Sequence, residues 1–576
     1  MPHLVQPRLA CPHVARSYGR NLLTALALAL PLAVVSAHGR AADGPPLTVL
    51  STATVGTWEI FAVRDSGGTE ACIARRPLGS ATSGQPQAML FLRTKSSRAL
   101  RIIANDWALP AGTVIPVTIT AGERVRGMSN ATLTSPHTLD VDLGDMLTTL
   151  QRIGEAPTIE IRLPGRTLTL PLDGMSDMRS ALVTCISNQL GAQYAGIVEE
   201  PAVAPPDADV VEERTVITAR IGAEDYRLET ILVRPAGVVG RLPVALFAHG
   251  QPRADRMAGF SAAHLLPQAR DLAHRGYLAA VVMRRGFGQS DGIPGLPGGA
   301  RFDTCESIAE TVFGASADEL AAALAVVAAR PDADASRTIV IGNSAGGPAA
   351  LALAARGYPG VRAVIAVSGG VRCSANDPNQ SVLRTADDWL APLFESLGAR
   401  AAVPSLWVYA ANDSFFSGSM ARAIHAAYAG AARAAGGGQT RFVMLPPIGD
   451  DGHDMFATWT GRDRWLTALD EFLHRHGLPT WSPAMVEAVM RQGGIAPEYR
   501  RDVVGFLSSI VPRVLVVDPA TGKPYRGSVP FGLPAARFLA ARSCQSGGGT
   551  DCVTVMENFR PLPATTEARG GRLPTP

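Results

Sequence analysis

From residue 213 to residue 477 the sequence alternates short apolar runs with longer stretches of helical spacing. The runs are "PVALFAHG", "YLAAVVMRRG", "RTIVIGNSAGG", "VRAVIAVSGG", "PSLWVYAAND" and "TRFVMLPPIG". Between and after them come "SAAHLLPQARDLAHRG", "ADELAAALAVVAARP", "GPAALALAARG" and a closing "DRWLTALDEFLHRHG". Strands that are apolar without alternation must be covered on both faces, and helices between them supply the cover. The expected fold is therefore α/β, a mostly parallel sheet with helices on both sides. In such open sheets ligands collect at the carboxyl ends of the strands, so chemistry is sought there.

One strand end stands out. Gly342-Asn343-Ser344-Ala345-Gly346 lies directly after "RTIVI" and directly before a helix. A serine on a strained strand-to-helix turn, with small residues two before and two after it, is the geometry of an exposed nucleophile. A serine that only caps the helix would occupy the same place. A hydroxyl nucleophile needs a base, and the base needs an orienting acid. Two later strand ends offer them in order: Asp413 after "LWVYAAN" and His453 in "GDDGHDMF". Asp450, Asp451 and Asp454 compete for the acid role, but they sit too close in sequence to His453 to reach its far ring nitrogen easily. The developing oxyanion needs two backbone donors. Ala345 follows the nucleophile and supplies one. The loop His249-Gly250-Gln251-Pro252 supplies the other through Gln251, because Pro252 has no N–H. His249 reads as a support for that loop and not as a second base.

With those residues in place, the segment 213–477 resembles the dienelactone hydrolase-like branch of the α/β-hydrolase family. The resemblance rests on "FAHG", the "RRGFGQSDG" turn at 284–292, the "ADELAAALAVV" helix, GNSAGG, the Asp413 loop and "DGHDMF". It implies hydrolysis of esters or related acyl bonds through an acyl-enzyme, with no metal and no organic cofactor. Dienelactone hydrolases proper use a cysteine where this chain has Ser344, so lactone substrates are not implied.

Around this segment the chain divides further. Arg8, Arg16 and Arg20 precede an apolar run from Leu22 to Val35 and a small-residue site, Val35-Ser36-Ala37. That is the layout of a secretory signal peptide, assigned to residues 1–37, with an uncleaved anchor as the alternative. The expectation is a periplasmic or secreted protein with no stable membrane span. Residues 47–190 read as a β-rich domain ending in a helix, and loosely resemble small exported envelope modules. Residues 191–212 read as a Pro/Ala/acid linker. Residues 478–560 read as a small α+β disulfide module, and 561–576 as a tail.

Seven cysteines occur, and loss of the signal removes Cys11. An even set in an exported chain favours disulfides, here local ones: Cys72 with Cys185, Cys305 with Cys373, Cys544 with Cys552. No spacing suggests a metal site. The 53 basic and 50 acidic side chains nearly balance, and Lys95 and Lys523 are the only lysines. Nucleic acid as a partner is excluded on that balance, and a Schiff-base mechanism is left little room.

Three functions are expected in order: an exported serine esterase acting on small-molecule or oligomeric esters, a prolyl-oligopeptidase-like serine peptidase, and an inactive envelope-binding protein. The peptidase reading lacks a propeller ahead of the catalytic segment, because 140 unrepeated residues cannot supply the blades. Oligomeric state is not legible.

Overall fold

A computed structural model describes residues 47–562, apart from 80–85, 95–97, 144–148, 192–206, 253–258, 294–308, 372–389, 530–532 and a few single positions between 105 and 155. The expected signal peptide, most of the linker, Cys305, Cys373 and the tail beyond residue 562 lie outside the described residues. Contacts divide the chain into two units, Met1–Ile197 and Val198–Pro576.

The first unit carries one ten-stranded sheet, antiparallel in every pairing. A five-strand meander from β1 (Thr48–Val55) to β5 (Arg98–Ala104) continues through β8 (Thr138–Val141), β7 (Val125–Ser135) and β6 (Val114–Ala121). It then passes to β9 (Thr158–Leu163) and β10 (Arg166–Pro171). Helix α1 (Met175–Gln189) packs on the meander through Met178, Leu182 and Ile186. The Cys72–Cys185 disulfide ties α1 to the sheet across 113 residues. Trp58, fully buried, donates its indole N–H to the Asp173 carbonyl (2.9 Å) just before α1. The fully buried Arg101 pairs with both oxygens of Asp140 at 2.7 and 2.8 Å, a geometry that offsets the cost of burying the two charges.

The second unit is built on an eight-stranded sheet. Its order is β11 (Val210–Ile221), β12 (Glu224–Pro235), β14 (Leu278–Val282), β13 (Leu242–Ala248), β15 (Ala333–Asn343), β16 (Val361–Val367), β17 (Ser405–Ala410) and β18 (Thr440–Leu445). β11 and β12 form an antiparallel hairpin that joins β14 antiparallel, and every later pairing is parallel. One boundary differs from the sequence reading. β11 begins at Val210, inside the stretch read as linker, because Val210–Glu213 pair with Leu232–Pro235 across the hairpin.

The apolar strands behave as their composition requires. On β13 the alternate residues Val244, Leu246 and Ala248 enter one core while Ala245 and Phe247 enter the other. The first core packs against α3 (Ser316–Ala328), α4 (Gly346–Ala355), α5 (Leu390–Gly398) and α6 (Gly418–Ala434). The second packs against α2 (Leu266–Ala273) and α7 (Trp459–Arg475). Each fully buried Leu, Val or Phe contributes about 1.5–3 kcal/mol, so both faces are strongly held. Among the described residues one helical stretch, Glu310–Ala328, is long and apolar enough to cross a membrane; it is half buried here and feeds Leu320, Leu324 and Val327 into the first core.

After α7 the chain adds α8 (Pro483–Gly493), α9 (Arg500–Ser508) and a sheet of order β20 (Lys523–Ser528), β19 (Arg513–Asp518), β21 (Val553–Glu557) and β22 (Arg560–Pro561). Helix α10 (Leu533–Ser546) covers one face of it, where Val514 and Val516 meet Ala536 and Ala540. Leu515 and Val517 point to α8 and α9 on the other. The Cys544–Cys552 disulfide closes the loop after α10.

Candidate active site

The strand order reverses beside β13, whose neighbours are β14 and β15. A crevice opens at such a switch point beyond the carboxyl ends of the strands. The loop after β13 and the turn after β15 meet there. Ser344 has a φ of +52°, a left-handed conformation that a non-glycine residue adopts only under constraint from its surroundings. The glycines around it are sterically obligatory. A Cβ on Gly342 would lie 2.1 Å from the Gly346 carbonyl oxygen, and one on Gly346 would lie 1.8 Å from the Ala248 carbonyl oxygen. A Cβ on Gly250 would lie 2.9 Å from the Ser344 Cβ, so the 249–251 loop rests directly on the serine.

The other two side chains arrive from the ends of β17 and β18. His453 places Nε2 3.2 Å from Ser344 Oγ, and its Nδ1 lies 3.1 and 3.2 Å from the two oxygens of Asp413. With Nδ1–H donating to the carboxylate, Nε2 is left as an acceptor for the serine hydroxyl. The Asp413 carboxylate is wholly buried. Its Oδ1 also accepts from the backbone N–H groups of Phe415 and Phe416, both at 2.9 Å, which fixes its plane. Ser344, Asp413 and His453 thus form one hydrogen-bonded chain.

The remaining residues singled out in the sequence fall as follows. Ala345 sits one turn position before α4, and Gln251 is exposed in the loop that touches Ser344. Neither backbone N–H has a backbone acceptor among the described residues. His249 is 1% exposed. Its Nε2 accepts from the Arg284 N–H at 3.1 Å, so its Nδ1–H donates to the Gly250 carbonyl at 2.8 Å. Burial, and then the Arg284 charge, push this imidazole well below the ordinary histidine range. It is neutral in the fold. No cluster of metal-ligating side chains occurs among the described residues.

Asp451 does something the sequence did not suggest. Its carboxylate accepts from the backbone N–H of His453 (2.9 Å), the backbone N–H of Ser414 (3.0 Å) and the Ser414 hydroxyl (2.6 Å). It therefore clamps the histidine loop to the loop that carries Asp413. Partial burial works against its charge, but the hydrogen bonds from Ser414 and His453 overcome this and hold its carboxyl down at about 2. Phe415 stacks on the His453 ring at 4.3 Å. Asn412 adds a second strap, accepting from the Ile448 N–H (2.9 Å) and donating to the Ile448 and Gly449 carbonyls. The sequence signal for these straps was present only as the polar run around two strand ends.

Two predictions arise here. Asp451→Ala should lower kcat about tenfold or more with little change in KM, because it loosens His453 while leaving Ser344 and the 249–251 loop in place. Steady-state kinetics check this, and an equal effect in Ser414→Ala/Asp451→Ala would show that the two residues act as one unit.

The second concerns acid. The unfolded chain protonates His249 below about pH 6.5, whereas the folded chain resists, so stability falls as pH drops through that value. The loss should reach up to about 2 kcal/mol at pH 5. His425, pushed by burial to about 4, contributes in the same direction. Melting curves from neutral pH to pH 5 should therefore fall more steeply for the native chain than for His249→Asn.

Comparison with known proteins covers part of the chain. Residues 224–423 match the family described as X-Pro dipeptidyl-peptidase (S15 family), a span that includes Ser344 and Asp413 and ends before His453. No curated protein matches the sequence. Among solved structures, a thermostable esterase from Pseudomonas putida is 19% identical, with 53% of this chain and 88% of that one covered and a TM-score of 0.30. Acetyl xylan esterase 1 from Thermoanaerobacterium sp. is 17% identical, covering 42% and 85%, with a TM-score of 0.27. A dienelactone hydrolase-like promiscuous phosphotriesterase from metagenomic libraries is 18% identical, covering 42% and 83%, with a TM-score of 0.28.

Proposed function

We propose that residues 213–477 form an α/β-hydrolase that cleaves carboxylic esters by a serine mechanism, a reading supported by the mostly parallel sheet and by the family match over 224–423. The observation that carries the proposal is the chain of hydrogen bonds Ser344–His453–Asp413, at 3.2 and 3.1 Å, at the carboxyl ends of three strands. His453 takes the Ser344 proton as Oγ attacks the ester carbonyl. Asp413 holds the imidazole tautomer and stabilises the imidazolium. The tetrahedral oxyanion is bound by the N–H groups of Ala345 and Gln251, each worth about 3–4 kcal/mol of barrier. Collapse expels the alcohol with the proton from His453, leaving an acyl-enzyme. Water then repeats the sequence, and the carboxylate product leaves.

The protein acts outside the cytoplasm in this reading. The arginine-flanked apolar run near the N-terminus and the two disulfides support that location. Residues 47–190 and 478–560 serve binding or packing and carry no part of the reaction.

The family match favours a second reading, a serine peptidase acting on X-Pro amides. The same machinery serves both, and the leaving group decides. A panel of nitrophenyl esters of increasing acyl length, set against X-Pro-nitroanilides, separates them. Ester kcat/KM should exceed amide kcat/KM by orders of magnitude. Preference for the X-Pro amides would overturn the ester assignment, and inertness in both would favour a binding role.

A further inference from the structure

Away from Ser344, a cavity of about 270 Å³ lies in the second unit, between the end of α2 and the segment after α7. Arg275, His274, Trp481, Met485, Arg513 and Phe559 are among its lining, with the Phe559 and His274 rings 4.5 Å apart. Arg513, 2% exposed, is the unusual member. Its Nη1 donates to the carbonyls of Phe506 (3.0 Å), Leu507 (2.5 Å) and Ser509 (2.9 Å), which caps the carboxyl end of α9. Its Nε reaches the Asn558 carbonyl only at 3.4 Å. Its flat faces lie against the Phe506 and Phe559 rings at 5.0 and 4.6 Å. Nη2 donates to nothing among the described residues.

The carboxylates nearest Arg513 are engaged by other partners. Arg275 is paired with Asp470 (2.6 Å), Arg462 with Asp271 (2.8 Å), and His274 with Asp207 (2.8 Å). Among the described residues no carboxylate lies within 4 Å of Arg513. Burial, and then the Arg275 charge, push its guanidinium down to about 9, so the site disfavours its own cation as it stands. The indole N–H of Trp481, on the same wall, has no acceptor either. Two donors, one of them a guanidinium that Asp470, Asp271 and Asp463 reach only at longer range, thus share a cavity whose other walls include Met485, Leu507, Val511 and Phe559.

We propose that this cavity binds a monocarboxylate with a small apolar body, the carboxylate bound by Arg513 and the body lying against Met485 and Phe559. Arg513 offers one guanidinium with no carboxylate in contact among the described residues, and Asp271 lines the same space, so a dianion such as phosphate would meet repulsion there. Nothing in the site assignment depends on the reaction at Ser344.

Titration calorimetry and thermal melting with benzoate test it on the full chain. The expected result is saturable binding and a rise in Tm that sodium chloride at the same ionic strength does not reproduce. Arg513→Gln should weaken binding about thirty-fold or more. Met485→Glu places a competing carboxylate on the rim at a position 44% exposed, so the protein should fold while benzoate binding is lost. If Arg513→Gln does not fold, Met485→Glu decides alone. Absence of saturable binding would overturn the proposal, with water then filling the cavity. So would unchanged affinity in Met485→Glu, or affinity that vanishes when Ser344 is blocked by a phosphonate, which would place the benzoate at the catalytic serine.

Discussion

Ser344→Ala is expected to abolish labelling by a fluorophosphonate probe and to cut ester turnover by about 10⁴–10⁶-fold. The size follows from the way the three side chains depend on one another. Ser344 stands at φ +52° between glycines that leave no room for a Cβ, so the turn that carries its hydroxyl is tightly fixed. Among the described residues the His453 ring hydrogen-bonds Ser344 through Nε2 and Asp413 through Nδ1, so removing Ser344 leaves that Nε2 without its hydroxyl partner. Asp413→Asn should leave the fold intact but favour the wrong imidazole tautomer, and a loss of about 10⁴-fold is the typical consequence. The double variant should be scarcely worse than Ser344→Ala, because members of such a unit do not add. Retained labelling in Ser344→Ala, or additive losses in the double variant, would mean that the nucleophile lies elsewhere.

The parts of this site that were legible in the sequence are those fixed by local rules. A glycine-flanked serine between an apolar strand and a helix declares its own geometry, since only a tight crossing of backbones needs Gly342 and Gly346. Asp413 and His453 were readable because parallel strands deliver their following loops to one edge, and chain order supplied the rest. Asp451 was set aside as a rival acid, and its strapping role went unread for a physical reason. Its side chain is too near His453 in sequence to reach Nδ1, yet that nearness is what lets it accept the His453 backbone N–H and bridge to Ser414. The role of His249 was half legible. Its place in the loop followed from the sequence, but the Arg284 N–H that sets its tautomer comes from a strand end 35 residues away. The start of β11 was missed because Val210–Glu213 follow a proline-rich acidic stretch, and only pairing with β12 distinguishes strand from linker there. The relation of Arg513 to its cavity was beyond reach, since it depends on how three separate carbonyls and two rings converge on one guanidinium.

The largest stability effect expected outside the active site is that of Asp470→Asn. Asp470 is wholly buried and takes two hydrogen bonds from Arg275, at 2.7 and 2.6 Å. The same carboxylate accepts from the Thr480 hydroxyl, and Arg275 donates onward to the Ser508 carbonyl at 3.1 Å. One ion pair therefore fastens α7 to the turn after α2, and both to Thr480 ahead of α8 and to the carboxyl end of α9. Burial works against the Arg275 charge, but Asp470 more than compensates and raises its pKa. Removing the carboxylate's charge leaves that guanidinium buried without its partner, which typically costs about 3–5 kcal/mol. For a unit of this size the apparent Tm should fall by roughly 4–6 °C. Activity per folded molecule at low temperature should be unchanged, since neither residue touches the Ser344–His453–Asp413 chain. Replacing both partners, Arg275→Met with Asp470→Leu, should recover most of the loss, because it removes the buried charge instead of orphaning it. A double variant as unstable as the single one would show that the hydrogen bonds to Thr480 and Ser508, and not the charge pairing, hold the two parts of the unit together.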